Sequence, residues 1–314
     1  MNNMYVNTKE ILEDASKKYY AVPAFNINNL EFLMAILQGA VEKKAPIIIE
    51  TSEGAIKYAG NGNPLRGARF FAETVKNYAE SLDIPVALHL DHGKNLEYIA
   101  AAIKAGYSSV MIDASHEEFE KNLEITKEVV KWAHAAGVSV EAELGQLAGI
   151  EDNVVAKENV LVDPQQAKIF VEETNVDFLA PAIGTSHGAF KFKGEAKLDF
   201  ERLKRVKELT KIPLVLHGAS SVPTKFVELA EKYGANLGGA KGVPQEDIKK
   251  CVELGINKVN TDTDLRIAFL AGLRKHLSEN EKEFDPRKYF KEGMEFVKEV
   301  VMERLEFLNT AGKA

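Results

Sequence analysis

Four of the seven histidines in the chain, His89, His92, His187 and His217, fall at or just past the ends of short apolar runs, with His116 just beyond another. His134 and His276 read instead as helix-surface residues. Neutral imidazoles gathered from separate loops hold a catalytic zinc ion, three protein ligands leaving a fourth position for substrate or water. His92, His187 and His217 come from three different runs, as such a site requires, and His89 is a fourth candidate. A carboxylate stands beside them. If VALHLDHG is a β-strand, alternation places His89 and Asp91 on one face, so Asp91 and His92 share a direction only if the chain has turned by His92. That turn sets a carboxylate and a metal ligand on two sides of one reacting group.

Positioning such groups is the work of the elements around them. Eight short runs rich in apolar and β-branched residues begin at Ala21, Ala45, Val86, Ser109, Ser139, Phe178, Leu214 and Asn257. Stretches with apolar residues at helical spacing, such as LEFLMAILQGAVEKK and EKNLEITKEVVKWAHAAG, separate nearly all of them. Apolar strands alternating with helices indicate a parallel sheet covered by helices, and eight such units in 314 residues predict a (β/α)8 TIM barrel. A doubly wound sheet is the competitor, but AFNINNLE after the first run lacks the Gly-rich turn that fold uses. Residues 1–314 read as a single barrel domain with a C-terminal helical extension over 284–308. The connections 144–163 and 185–198 are long and lack helical periodicity, the usual mark of lids, binding loops or disordered segments. In a barrel, chemistry sits where strands end and the following loops begin. Ser52, Asp91, His92, Asp113, Glu141, Glu143, His187, His217, Asn260, Asp262 and Asp264 all fall there.

Composition narrows the class. With 45% hydrophobic and 28% charged residues, a chain of this length buries its own core without staples. Cys251 is the only cysteine, which rules out an intrachain disulfide and a thiolate metal cluster. A net charge of −7 weighs against a nucleic-acid surface, so an anionic substrate must meet local positive groups. The N-terminal segment lacks the apolar core of a signal peptide, and no run of ~18 apolar residues is present to span a bilayer. The expectation is a cytoplasmic enzyme with no nucleic-acid or membrane partner.

HLDHG, VMIDASH, VEAELG, GTSHG, VLHGASS and NTDTDLR, in that order, together resemble the zinc-dependent, class II fructose-1,6-bisphosphate aldolases. The likeness extends from FNINNLE near the start to FDPRKYF in the tail. It implies a lyase that reversibly cleaves fructose 1,6-bisphosphate into dihydroxyacetone phosphate and glyceraldehyde 3-phosphate, a step of glycolysis and gluconeogenesis. It also implies His92, His187 and His217 as zinc ligands and Asp91 as the group exchanging a proton with the C4 oxygen. Glu151 takes the role of the base that removes the C3 proton. Asp113 and Glu143 correspond to a second, more superficial divalent-ion site of relatives, or equally to acceptors that orient the ligating imidazoles. Gly188 and the run Gly218, Ala219, Ser220 offer backbone N–H groups in tight turns, a natural phosphate cradle. Ala219 stands where many relatives have glycine, whose conformational freedom it lacks. Asn260, Thr261, Asp262 and Thr263 resemble the other half of that clamp. Lys191 resembles a charge reaching over it, Arg266 a contact for the second phosphate, and Ser52 a contact on the aldehyde side. A monovalent cation and a homodimeric or homotetrameric assembly are further expectations of the family.

Other readings compete. Tagatose-1,6-bisphosphate aldolase differs in C4 stereochemistry, a region Asp262 is expected to contact, and Asp262 resembles the fructose type. A Schiff-base aldolase needs a desolvated lysine on a strand; Lys258 shares face parity with Asn260 and Asp262, and the bland alternative is a buried ion-pair partner. Metal-dependent hydrolases on this fold carry an H-x-H pair on the first strand, here AVPAFNIN. A catalytically silent binding or scaffold barrel has no use for Asp91 beside three strand-end histidines.

Overall fold

A computed structural model describes residues 4–146, 148–151, 154–156, 160–187, 198–238 and 242–314, with the side chains of 148–151, 154–156 and 187 left aside. The eight apolar runs are the eight strands of a closed parallel barrel. They are β1 (Val22–Asn26), β2 (Ile47–Ser52), β3 (Val86–Asp91), β4 (Ser109–Ile112), β5 (Ser139–Leu144), β6 (Phe178–Pro181), β7 (Leu214–Leu216) and β8 (Ile256–Thr261). Each pairs with its sequence neighbours, and β8 closes on β1 with Ala24 opposite Asn260. The connecting helices start where short polar side chains take over free N–H groups. Asn29, Asn63, Asn95 and Asp163 each accept a hydrogen bond from the first turn of the helix that follows.

The (β/α)8 expectation therefore holds, and its two strand faces separate cleanly. Phe25, Ile47, Ile49, Leu88, Leu90, Val140 and Val259 face the helices in a large outer core. Val22, Ala24, Ile48, Ala87, Phe178, Ala180 and Val215 fill the interior near the strand N-termini. Alternation carries that inner face upward to Glu50, His89, Asp91, Glu141, Glu143, Lys258 and Asn260, all buried. The inside of the barrel is apolar at one end and charged toward the other.

Ile11, Leu12 and Ala15 complete the apolar layer. They belong to a helix, Thr8–Lys18, that sequence reading passed over; Asn7 caps it by accepting from the Lys9 N–H. Its apolar side enters the N-terminal mouth of the barrel. Thr8 Oγ1 lies 2.6 Å from Ser109 Oγ, which lies 2.7 Å from His89 Nδ1, so the plug reaches the polar layer above it. The long connection over 144–163, which lacks helical periodicity, contains the antiparallel pair Ala148–Glu151 and Val154–Ala156. Ala148–Glu151 also pairs in parallel with Ser186–His187. The connections after β5 and β6 thus meet in one small sheet. The tail forms the expected helices, Pro286–Tyr289 and Lys291–Phe307, the second packed on Thr263–Glu279 and Leu30–Glu42.

Leu12 is fully buried in the plug. Leu12→Ala is expected to lower stability by about 2–5 kcal/mol, the range for emptying a closely packed leucine site. Urea denaturation monitored by circular dichroism checks this as a lower midpoint at unchanged slope.

Candidate active site

β3 ends at Asp91, and His92 has φ 46°, so the chain turns between them as alternation required. Holding a histidine in the left-handed region costs about 1–3 kcal/mol, and the surroundings enforce it. The Gly93 carbonyl accepts from the Asp113 N–H at 2.8 Å, and a Cβ at Gly93 would sit 2.5 Å from the Met111 carbonyl oxygen. Only glycine fits there. Glu53 Oε1 accepts from the N–H groups of Lys94 and Asn95, each at 2.7 Å, which fixes the next two residues.

The two described imidazoles of the expected metal set are each anchored from behind. His92 Nδ1 lies 3.0 Å from Asp113 Oδ2, and His217 Nε2 lies 2.6 Å from Glu141 Oε1. A carboxylate accepts, so those ring nitrogens carry the protons, and the opposite nitrogens carry lone pairs. The opposite nitrogens, His92 Nε2 and His217 Nδ1, face each other 2.9 Å apart. Two acceptors at that distance repel unless a proton or a cation is shared between them. Asp91, His92 and His217 offer ligand atoms within 4.8 Å of one another, and Glu143 Oε2 lies 3.3 Å from His217 Nδ1. Imidazole nitrogens backed by carboxylates fit a borderline cation such as zinc. The same demand for positive charge shows as proton affinity. Burial opposes protonation of His92, yet Asp91 and the Asp113 hydrogen bond lift it to about 9. Burial opposes that of His217 too, and Glu141 and Glu143 raise it well above the ordinary histidine value.

Asp91 is held by two amides. Its Oδ2 accepts from Asn26 Nδ2 at 2.9 Å and its Oδ1 from Asn260 Nδ2 at 3.0 Å. Burial disfavours its ionised form, but His92, His217 and Lys258 outweigh that and hold it below the usual carboxylate range. Asn260 is itself oriented from below, its Oδ1 accepting from Lys258 Nζ at 2.8 Å. Lys258 Nζ lies 2.6 Å from Glu50 Oε1 and 2.9 Å from Glu141 Oε2, with no exposure. Burial works against its charge; Glu141 and Glu50 override it and keep the ammonium above the usual lysine range. A Schiff-base nucleophile needs a neutral amine, so this lysine is the ion-pair partner. Burial, and then the Lys258 charge, push His89 down to about 3 and keep it neutral. His89 lies in that middle layer and is not part of the convergent group. Asn26 and Glu141 are the functional side chains that sequence reading did not assign. Their one signal is parity, Asn26 as the last residue of β1 and Glu141 on the same inward face as Glu143.

Gly218, Ala219, Ser220, Asn260 and Asp262 line one cleft with Asp91, His92 and His217. Gly218 has φ 60°, and a Cβ there would lie 2.5 Å from the Ser186 carbonyl oxygen. That close approach sets Gly218 against the strand Ser186–His187. The His187 backbone therefore arrives beside His217, while its side chain lies outside the described residues, as do Gly188, Lys191 and the side chain of Glu151. The left-handed positions of the turn are Gly218 and Val222, so Ala219 needs no glycine-like freedom. Ser52 caps the helix Glu53–Ala59 through the Ala55 N–H at 3.2 Å and lies opposite Asp91 in the β2–β3 register. Arg266 Nε donates to Asp262 Oδ1 at 2.7 Å. Thr261 is buried at the end of β8, and Thr263 opens the helix Thr263–Glu279.

The family model for class-II fructose-bisphosphate aldolase matches residues 6–313. A fructose-bisphosphate aldolase from Helicobacter pylori is 54% identical over 312 residues, covering 99% of this chain and 100% of that protein. One from Thermus caldophilus is 51% identical over 313 residues, with the same coverage of 99% and 100%. Among solved structures, the YdjI aldolase from Escherichia coli K12 superposes with a TM-score of 0.78 at 34% identity, over 99% of both chains.

Lys258→Met leaves Glu50 and Glu141 buried without their cation. Such removal of one partner is expected to destabilise by about 3–5 kcal/mol, seen as a lower thermal midpoint. Borohydride added with a keto sugar phosphate is expected to trap no adduct on the wild-type chain; a trapped Lys258 would reverse the ion-pair assignment.

Proposed function

We propose that this chain, a member of the class II fructose-bisphosphate aldolase family, reversibly cleaves fructose 1,6-bisphosphate to dihydroxyacetone phosphate and glyceraldehyde 3-phosphate. The observation that carries the reading is the pair of imidazole nitrogens fixed 2.9 Å apart, with ionised Asp91 at their side. His92 and His217 would hold a zinc ion, with His187 as the third ligand. The chemistry zinc supplies when bound is Lewis-acid stabilisation of the negative charge that develops on a substrate oxygen. Asp91, aligned by Asn26 and Asn260, accepts the C4 hydroxyl proton in cleavage and returns it in condensation. Glu151, on the connection after β5, is assigned the C3 proton, supported by its place in the ELG…ED pattern. Asp113 is assigned to orienting His92, supported by their 3.0 Å contact. The alternative use of Asp113 and Glu143, which converge with His92, is a further divalent-ion site.

The N–H groups of Gly218, Ala219 and Ser220, with Gly188, Lys191 and Asn260 through Thr263, are proposed to hold one phosphate. Arg266 is assigned to the other phosphate and Ser52 to the aldehyde side. A monovalent cation near the clamp and a homodimer or homotetramer complete the proposal. Among the described residues no helix is long and apolar enough to cross a membrane. A cytoplasmic location is part of the proposal. The names of its relatives favour fructose over tagatose bisphosphate, and turnover of the fructose isomer is expected to be the faster.

A cleavage assay with and without EDTA tests the core of this reading: chelation should abolish activity and added zinc restore it. Metal analysis of His217→Ala should show most zinc gone; full retention of zinc and activity would sink the ligand assignment. Two further variants separate the proton transfers. Asp91→Ala is expected to keep zinc yet lose at least ~10²-fold in kcat, the lower scale of acid–base catalysis. Glu151→Ala should keep zinc and slow C3 proton exchange of dihydroxyacetone phosphate, followed by NMR. Wild-type exchange in that variant would make Glu151 an ordinary loop charge.

A further inference from the structure

The turn after β7 is tethered from the C-terminal helix Lys291–Phe307, none of whose residues lines the cleft. Arg304 of that helix is buried, 4% exposed, and its Nη2 donates to Asp264 Oδ2 at 2.8 Å and to the Ala219 carbonyl at 3.3 Å. Asp264, 1% exposed, accepts from the Val222 N–H at 2.8 Å through Oδ1 and from the Ser221 N–H at 3.1 Å through Oδ2. The Ser220 carbonyl is taken by the Val243 N–H at 3.0 Å. Arg304, Asp264, Val222 and Val243 are not among the residues that line the cleft.

Peptide geometry turns those tethers into an orientation. The peptide bonds of the described residues are trans, so the carbonyl and N–H of each peptide unit point in opposite directions. With the Ala219 carbonyl drawn to Arg304, the Ser220 N–H of the same unit points the other way, into the cleft. Gly218, Ala219 and Ser220 are buried cleft residues, and among the described residues their N–H groups meet no acceptor. Buried donors without acceptors call for an anion. The arrangement is maintained against strain, since Val222, a β-branched residue, is held at φ 53°.

We propose that Arg304 is a positioning residue: through Asp264 and the Ala219 carbonyl it turns the Ser220 N–H toward the substrate phosphate, beside the N–H groups of Gly218 and Ala219. The inference rests on the phosphate reading given above and adds the C-terminal helix to the machinery. Arg304 touches no reacting atom. It sets substrate affinity by fixing a peptide plane, and it ties the docking of residues 291–307 to that affinity. A residue that merely cements the helix would change stability and leave the phosphate site as it was.

The test uses the full-length, zinc-loaded protein with Arg304→Met and Arg304→Lys. Lysine keeps a charge beside Asp264 but is shorter and lacks the planar Nη2 whose two hydrogens reach Asp264 and the Ala219 carbonyl together. Steady-state cleavage of fructose 1,6-bisphosphate gives KM and kcat, and titration with inorganic phosphate, followed by ³¹P NMR, gives an affinity independent of turnover. Arg304→Met is expected to raise KM and the phosphate Kd about tenfold each while kcat stays within about threefold, the split that marks lost uniform binding. Arg304→Lys is expected to fall between it and wild type. Unchanged KM and phosphate Kd in either folded variant overturn the proposal, as does a loss confined to kcat. If Arg304→Met fails to fold, Arg304→Lys decides by the same readouts. A wild-type chain that binds phosphate but does not cleave the bisphosphate sinks the aldolase reading and leaves the clamp to be judged on phosphate alone. A wild-type chain that binds no phosphate overturns the clamp.

Discussion

Lys258 is a buried ammonium from which both arms of the site extend. One arm runs through its hydrogen bond to Asn260 Oδ1, which leaves the Asn260 amide hydrogens directed at Asp91. The other runs through Glu141, whose second oxygen takes the proton-bearing Nε2 of His217 and so exposes Nδ1 to the cleft. A charge in the middle of the barrel thereby decides which atom of an amide and which nitrogen of an imidazole faces the cleft. Replacing such a network with apolar side chains often leaves stability unharmed or improved. Its use here is directional, since no apolar side chain can choose between the two ends of an amide.

That network needs a dry surrounding, and the barrel supplies it in layers. The N-terminal helix closes the lower mouth with Ile11, Leu12 and Ala15, next to Ile48, Ala87, Phe178 and Val215. Above this layer Glu50, Glu141, His89 and Lys258 have no exposure at all. Water screening is absent there, so each contact is strong and each misplacement costly. Above them in turn, Asp91, His92 and His217 meet the cleft. Apart from Thr263, Arg266 and Arg304, the long outer helices contribute no residue to the proposed site. They press the strands into a closed cylinder, and the cylinder fixes the register in which Ser52 lies opposite Asp91 and Glu50 opposite His89.

Most of this was legible because it is periodic. Strand and helix periods gave the barrel, and strict alternation showed that Asp91 and His92 could cooperate only across a turn, which His92 makes at φ 46°. What escaped was single polar letters whose meaning lies in a distant partner. Glu141 reads as one more inward carboxylate until His217 is beside it, 76 residues on. Asn26 is an ordinary strand-end amide until it meets Asp91 across 65 residues. The N-terminal helix was missed because its pattern is short and its burial depends on a barrel mouth no local window contains. The small sheet of Ala148–Glu151 and Val154–Ala156 was missed for the same reason, since its third strand, Ser186–His187, belongs to another loop. Motif resemblance recovered Asp113 and Glu143 as residues of interest and left their roles open; the 3.0 Å contact with His92 Nδ1 is what favours orientation for Asp113.

Three carboxylates within this small volume illustrate how environment assigns work to one functional group. Asp113 and Glu141 spend an oxygen each on an imidazole N–H, and in doing so settle where the lone pairs of His92 and His217 point. Asp91 takes its hydrogen bonds from neutral amides instead, which align it without consuming a proton or neutralising its charge. An amide donor stabilises the ionised form yet leaves the carboxylate able to take up a proton, whereas an imidazolium partner would compete for the same proton. The two asparagines are therefore the appropriate company for a base, and the two histidine-bound carboxylates the appropriate company for a metal. On the proposed roles, reaction and ligation are separated by the choice of hydrogen-bond donor, over a distance of one residue.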